Sequence, residues 1–370
     1  MRIAYLIMTH ENPLLLQRMI RTLSFGDEEC AFFIHLDRKT AFEGFSSVCG
    51  QNVWFSNNRI PVYWGEFSQV DAILSLVRKA IESPSGYDYC VLITGSCYPL
   101  RTGGYIRRFL EANQGLEYMD ILMVPAPGKP LSRLNTIRYP STKPIRRFVF
   151  RALARIGLAQ RDHRKYLGGL EPYSGDGAWA LTREACQYVI DFMAANPHLE
   201  RYYRKTFAAD EAFLQTILGN SKFRERMQRN FVYVDWSCRM NGHPEMLCDE
   251  HVRLFEKRDR VDRERLAEMF VQASSPHLEE MPRDEINRLQ QQERFLRLAP
   301  MSQQLGISHS DTYRLGELLF ARKFNDARLD VVSRIDAMIE RKESVRLPQV
   351  SSERSNPDFQ VACSYTSSSM

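Results

Sequence analysis

Residues 3–8, Ile3-Ala4-Tyr5-Leu6-Ile7-Met8, are apolar at every position. A run without alternation fits a strand covered on both faces, as in a parallel sheet. The chain turns polar at Thr9, His10 and Glu11. Asn12-Pro13 then offers an N-cap followed by proline at the first helical position, and Leu15, Met19, Ile20 and Leu23 recur at helical spacing. A second apolar run, residues 31–36, stops at Asp37. Residues 67–82 read as an amphipathic helix, capped by Ser68, with Val70, Ile73, Leu74, Val77 and Ile81 on one face. Residues 87–94, Tyr-Asp-Tyr-Cys-Val-Leu-Ile-Thr, predict a third buried strand. Strand, helix, strand, helix, strand is the order of an α/β fold whose central sheet is mostly parallel and flanked by helices. Ligands of such sheets bind beyond the carboxyl ends of the strands, which puts Thr9, His10, Asp37 and the Gly95-Ser96-Cys97 turn on the ligand edge.

Working outward, the 370 residues are 44% hydrophobic and 26% charged, ordinary for a folded domain and incompatible with collagen, coiled coil or wholesale disorder. A net charge of +5 gives no argument for nucleic acid as a partner. No apolar run reaches spanning length, and the first run is too short and too soon polar for a signal peptide. No Gly-x-Gly-x-x-Gly follows the first strand and no Walker loop occurs, which disfavours dinucleotide oxidoreductases and phosphate-loop ATPases. The eight cysteines form no Cys-x-x-Cys pair and no zinc-type Cys/His spacing, so free buried thiols in a reducing compartment are expected.

Residues 129–165 concentrate positive charge: Lys129, Arg133, Arg138, Lys143, Arg146, Arg147, Arg151, Arg155, Arg161, Arg164 and Lys165 face a single acid, Asp162. Arg147, Arg151 and Arg155 share one helical face, with Phe148, Val149, Ala152 and Ile156 beside it. Two readings stand, a solvated loop and helix or a surface for an anionic membrane or acidic ligand. Residues 172–182, Pro-Tyr-Ser-Gly-Asp-Gly-Ala-Trp-Ala-Leu-Thr, place two glycines before an apolar strand with Trp179. They read equally as a hairpin turn or as a close backbone approach to a ligand. Asp210-Glu211 precede an apolar helical face at Phe213, Leu214, Ile217 and Leu218. Acids there suit the helix dipole in any case, with Asp210 as cap and Glu211 pointing elsewhere. His10 stands open between a ligand contact and an ordinary strand-end residue, whereas His35 reads as a packed strand residue.

Taken in order, these segments resemble the core-2/I-branching glycosyltransferases, the family of β-1,6-N-acetylglucosaminyltransferases and protein xylosyltransferases. The pieces are Ile3–Pro13, Phe33-Ile-His-Leu-Asp37, Val62-Tyr-Trp-Gly-Glu66, Tyr87–Leu100, Tyr173-Ser-Gly-Asp-Gly-Ala-Trp179, Ala209-Asp-Glu211, Val234-Asp-Trp236 and Leu319-Phe-Ala-Arg-Lys-Phe324. The resemblance implies a GT-A-like fold binding a nucleotide sugar and inverting transfer from a UDP-sugar to an oligosaccharide or polysaccharide hydroxyl. N-acetylglucosamine and xylose are the favoured sugars, and no divalent metal or other cofactor is expected. By match to the family, Glu211 is the catalytic base, and a neighbouring Asp210 is expected to raise its pKa. Lys323 matches the diphosphate-binding lysine and Arg253, more loosely, a second cation for the leaving group. Thr9, His10 and Asp37 fall on donor-binding positions. Trp236 resembles an acceptor-stacking aromatic, and Asp210, Ser174 and Gly175 complete the acceptor-binding set.

The departures shape the organisation. Cys97 stands where the family often has an acid, in Gly95-Ser96-Cys97-Tyr98-Pro99. Residues 255–300 separate Arg253 from the Phe-Ala-Arg-Lys-Phe motif and read as an inserted helical pair. The expected division is 1–254 as the GT-A-like domain, 255–300 as a helical insertion, 301–345 as a C-terminal helical segment completing the donor site, and 346–370 as a disordered tail. The lack of an anchor and of disulfides fits a bacterial member of surface-glycan assembly. Such a protein would be cytoplasmic or peripheral on the inner face of the cell membrane, touching it through residues 129–165, with a lipid-linked acceptor one option. The competing reading is a catalytically silent glycan-binding protein on the same fold.

Overall fold

The computed structural model describes residues 1–126, 129–235, 244–257 and 318–346. Its strands are β1 (Ile3–Thr9), β2 (Ala31–Leu36), β3 (Val53–Phe55), β4 (Tyr89–Thr94), β5 (Cys97–Pro99), β6 (Glu117–Tyr118), β7 (Leu122–Met123), β8 (Tyr173–Ser174), β9 (Trp179–Thr182), β10 (Met227–Gln228), β11 (Val232–Val234) and β12 (Phe320–Arg322). The main sheet runs β10-β6-β9-β4-β1-β2-β3. β1 pairs in parallel with β2 and β4, β2 with β3, and β10 with β6, whereas β9 is antiparallel to β4 and β6. This is the expected α/β arrangement, a mostly parallel sheet flanked by helices.

The unbroken apolar runs follow from cores on both faces. Ile3, Tyr5 and Ile7 pack into one core with Phe32, Ile34, Val91 and Ile93. Ala4 and Leu6 pack into the other with Phe33, Cys90 and Leu92. Helices Pro13–Ser24, Gly103–Ala112 and Leu329–Arg346 cover the first face, and Ser68–Glu82, Arg183–Ala195 and Phe213–Gly219 the second. Each aliphatic side chain so buried contributes about 1.5–3 kcal/mol.

The expected helices form, but their ends are held differently. Asn12 sits at φ 64° and makes no side-chain cap. Instead the carboxylate of Asp326, more than three hundred residues away, accepts the Leu14 and Leu15 N–H groups at 3.2 and 2.8 Å, while the Asp326 N–H bonds Asn12 Oδ1. Ser68 does not cap its helix either, because its Oγ accepts the Tyr63 N–H at 2.9 Å. Near Glu211 the helix begins only at Phe213, after a 3-10 turn over Ala209–Glu211.

A second sheet, β11-β12-β5, ties the C-terminal segment back to the first hundred residues. Arg322 pairs with Cys97 on one side and Val234 on the other. Cys97 is fully buried in the core, its Sγ 3.4 Å from Thr94 Oγ1. Among the described cysteines Cys30, Cys90, Cys97 and Cys186 are buried free thiols as expected, but Cys49 is exposed and Cys248 half-exposed. The helix following Cys248 spans Asp249–Lys257; residues 258–300 of the expected insertion and 347–370 of the expected tail lie outside the described residues. No described helix is long and apolar enough to cross a membrane.

Candidate active site

Glu211 is placed by its backbone. Its carbonyl accepts the Gly175 N–H at 2.7 Å and the Ser174 hydroxyl at 2.8 Å. Gly175 is required there: a Cβ would lie 1.8 Å from the Asp120 carbonyl oxygen. Asp120 is itself buried, and its carboxylate accepts Asn230 N–H and Nδ2–H at 3.1 and 2.9 Å, which fixes the approach to β11. Ser174 and Gly175 thus spend their hydrogen bonds on positioning Glu211.

The Glu211 carboxylate faces cations. Oε2 accepts from Lys129 Nζ and, at 2.6 Å, from Arg133. Lys129 is only 7% exposed, and its ammonium also donates to the Gly175 carbonyl at 2.7 Å. A lysine this buried needs such partners. Arg133 lies over the Phe207 ring at 5.6 Å. Among the described residues Glu211 Oε1 carries no hydrogen bond.

Asp210 behaves in the opposite way. Its Oδ2 accepts from Gln69 Nε2 at 3.1 Å, and its Oδ1 is sealed from solvent with no hydrogen-bond partner. Burial first, and the neighbouring Glu211 charge second, push its carboxyl up to about 7, against the opposing pull of Lys129 and Arg322. The charge of one acid therefore acts on its neighbour, but the shift falls on Asp210 and burial is its first cause. Asp210 does not cap the following helix.

Glu211 opens onto a cleft walled by Asp176, Asn230, Val232, Val234 and Arg322. Arg322 therefore faces the same space as the carboxylate. Lys323 follows at the strand end; its carbonyl accepts the Leu247 N–H at 2.9 Å, and the next N–H, of Phe324, bonds the Ser96 carbonyl at 2.9 Å. Arg253 is exposed on the helix Asp249–Lys257 and does not line the cleft. Trp236 lies outside the described residues.

Thr9 and Asp37, both buried, meet on a ledge at the strand ends, and neither lines the cleft. The Asp37 N–H bonds the Thr9 carbonyl at 2.9 Å, and the Asp37 carboxylate accepts the Lys39 N–H at 2.9 Å and faces its ammonium at 3.3 Å. Gly95 packs so closely that a Cβ would lie 2.2 Å from Thr9 Oγ1. His10 is exposed; its carbonyl accepts the Thr40 hydroxyl at 3.0 Å.

With this geometry in view, the match to known proteins is informative. The sequence profile of the Core-2/I-Branching enzyme family fits residues 3–258. The chain belongs to the Core-2/I-Branching enzyme family. Its similar curated proteins include β-1,3-galactosyl-O-glycosyl-glycoprotein β-1,6-N-acetylglucosaminyltransferase 3 of Rattus norvegicus, 21% identical over 221 residues, 58% of this chain and 46% of that protein. The β-1,3-galactosyl-O-glycosyl-glycoprotein β-1,6-N-acetylglucosaminyltransferase of Homo sapiens is 25% identical over 222 residues, covering 58% of this chain and 48% of that protein. The chain spans about half the length of these relatives. Among solved structures, galactosyltransferase LgtC in complex with donor and acceptor sugar analogs overlaps at a TM-score of 0.31 and 13% identity, over 62% of this chain and 75% of that one. That overlap is too slight to carry an argument. Within this Core-2/I-Branching chain, sequence reasoning found Glu211 and Asp210 but missed Arg322 as a cleft residue. It placed Lys129 and Arg133 in a basic stretch without linking them to Glu211. Their signal was present only as unexplained charge, since they stand 82 and 78 positions before the acid they hold.

Proposed function

We propose that the chain is an inverting glycosyltransferase that moves a sugar from a UDP-sugar to a glycan hydroxyl without a divalent metal. Glu211 is the general base: Oε1 takes the proton of the acceptor hydroxyl as that oxygen attacks the anomeric carbon. Lys323, with Arg322 beside it and Arg253 on the nearby helix, offsets the charge that grows on the UDP leaving group. Thr9, His10 and Asp37 hold the donor, and Asp210, Ser174, Gly175 and Trp236 shape the acceptor side. N-acetylglucosamine is the favoured sugar, as in the names of the relatives, with xylose second. The observation that carries the reading is a carboxylate with one open oxygen facing an arginine across a cleft at the Arg322-Lys323 strand end.

Residues 129–165 extend the reading to a lipid surface. The helix Pro144–Arg155 buries none of its residues, and Ile145, Phe148 and Val149 are exposed beside Arg146, Arg147 and Arg151. An apolar stripe edged by arginines suits peripheral contact with an anionic membrane bearing a lipid-linked acceptor, on the cytoplasmic side. Vesicle binding that ignores anionic lipid and salt would remove this extension.

The commitment of Glu211 Oε2 to two cations favours a second reading, a catalytically silent glycan-binding protein. A thermal-shift panel of UDP, UDP-N-acetylglucosamine, UDP-xylose, UDP-glucose and UDP-galactose, each with EDTA and with Mn²⁺, followed by an acceptor screen, separates the two. A ligand at about a hundred times its Kd adds roughly 2.7 kcal/mol of stability. Stabilisation in EDTA with sugar transfer supports the enzyme; stabilisation only with Mn²⁺ overturns the metal-free site, and glycan binding without turnover selects the silent protein.

A further inference from the structure

Apart from the cleft, a second group of side chains among the described residues is arranged for chemistry. Cys248 immediately precedes the helix Asp249–Lys257, and its Sγ lies 3.3 Å from His251 Nδ1. The other ring nitrogen, Nε2, is 2.8 Å from Asp235 Oδ2 at the end of β11. The Cys-x-x-His spacing brings the thiol and imidazole together on one turn, and the fold supplies the carboxylate from a different segment. The Asp235 carbonyl accepts the Glu245 N–H at 2.9 Å, which ties Asp235 to the segment leading into Cys248, and the Tyr233 ring stands edge-on to the imidazole at 6.1 Å. Because the imidazole gives a different nitrogen to each neighbour, the three groups do not converge on one point, and no described cluster of His, Cys, Asp and Glu is built to hold a metal. The arrangement is a nucleophile, a base and an orienting acid.

We propose that Cys248, His251 and Asp235 form a thiol–disulfide exchange site that takes low-molecular-weight disulfides. His251 Nδ1 accepts the Cys248 proton while Nε2–H stays bonded to Asp235. The thiolate attacks one sulfur of the disulfide, the Cys248 Sγ–S bond forms, and the reagent's S–S bond breaks. The released thiolate takes the proton from the imidazolium, so a thiol and a disulfide become a mixed disulfide and a thiol with no other oxidant.

The surroundings support the thiolate. Partial desolvation opposes it, but the N–H groups of Glu250 and His251 and the imidazole together hold the Cys248 thiol below its ordinary range. The bond to Asp235 holds the imidazole above its own, despite burial. The other thiols show the contrast: burial pushes Cys30 up to about 12, and the neighbouring Cys90, with burial second, holds Cys186 well above the usual thiol range.

The site has a structural consequence, which rests on the donor-site reading. Leu247, the preceding residue, bonds the Lys323 carbonyl. An adduct on Cys248 therefore loads the strand end that carries Arg322 and Lys323, and weaker UDP binding follows.

The test is substoichiometric labelling of the whole chain with 4,4′-dithiodipyridine, quenched in acid and mapped peptide by peptide over all eight cysteines. Cys49, exposed and without a histidine partner, is the internal reference. Cys248 is expected to react at least about tenfold faster than Cys49, and His251→Gln to remove that advantage while the Cys49 rate stays unchanged. Asp235→Asn is expected to reduce it by a smaller factor. A Cys248 rate at or below that of Cys49 in the unaltered chain overturns the proposal, whatever the variants do, and so does a rate indifferent to His251→Gln with the Cys49 reference intact. UDP affinity before and after labelling tests the consequence separately: fast labelling with unchanged affinity keeps the exchange site and counts against the donor-site reading of Lys323.

Discussion

The ledge at Thr9 and Asp37 and the cage around Glu211 are built on different principles. The ledge comes from strand ends within the first hundred residues, joined by backbone bonds such as Asp37 N–H to Thr9 O and Gly95 N–H to Met8 O, with one lysine ammonium near one carboxylate. The cage draws Gln69, Lys129, Arg133, Gly175, Asp210 and Arg322 from across the chain and confronts two adjacent acids with three cations. A ledge joined in this way depends on backbone geometry rather than on the balance of charge. A cage of charges in a partly buried space is sensitive to each member, because an uncompensated buried charge is expensive.

The comparison can be broken most forcefully at Lys129. Lys129→Met keeps the stem but leaves the Gly175 carbonyl and half of the Glu211 pairing unmet, and a loss of about 2–3 kcal/mol in urea unfolding is expected, with Arg133 retaining the remainder. A change of Thr9→Val on the ledge is expected to cost well under half of that. Equal losses would mean that the cage is no more charge-dependent than the ledge.

A smaller effect separates the two acids of the cage. Asp210, pushed up to about 7, binds its proton more tightly in the folded than in the unfolded chain. Such a group makes stability fall as pH rises through its folded value. Glu117, raised to about 7, and Asp27, raised to about 6, act in the same direction from elsewhere in the fold, burial being the first cause in both. Unfolding free energy is therefore expected to decline between about pH 4 and 7. Asp210→Asn is expected to make that decline shallower by on the order of 1–2 kcal/mol, leaving the share of Glu117 and Asp27. An unchanged slope would place Asp210 in contact with solvent.

The smallest effect tests how the ledge is braced. Asp326→Ala removes the distant cap of helix Pro13–Ser24 and is expected to cost about 1 kcal/mol, read as a shift in the urea midpoint. No loss would mean that solvent satisfies the Leu14 and Leu15 N–H groups equally well.

Legibility in the sequence follows the same division. The runs at 3–8, 31–36 and 87–94 announced buried strands because both sheet faces are covered, and each alternate residue enters a different core. The ledge residues could be read because they follow those runs directly. The antiparallel insertion of β9 between β4 and β6 could not, since the apolar run around Trp179 carries no mark of direction. Nor could the true cap of the first helix: Asn12-Pro13 had the right local chemistry, but the backbone at Asn12 is left-handed and Asp326 does the capping. In the cage, Glu211 was visible in a compact motif. Its cations were not, because Lys129 and Arg133 look like any other members of a basic run until the fold brings them to the acid. Arg322 was hidden by its neighbour Lys323, the residue that matched the family motif.

The central claim is that Glu211 performs the proton transfer while the ledge and the Arg322-Lys323 strand end hold the donor. The most direct measurement takes Glu211→Gln and Asp37→Asn through single-turnover sugar transfer, with UDP-sugar affinity titrated on the same preparations. The account expects Glu211→Gln to lose about 10²–10⁴-fold in the transfer rate at nearly unchanged affinity. Asp37→Asn is expected to weaken donor binding and leave the saturated rate nearly intact. Full transfer by Glu211→Gln at saturating donor, or a loss confined to donor affinity, would contradict it.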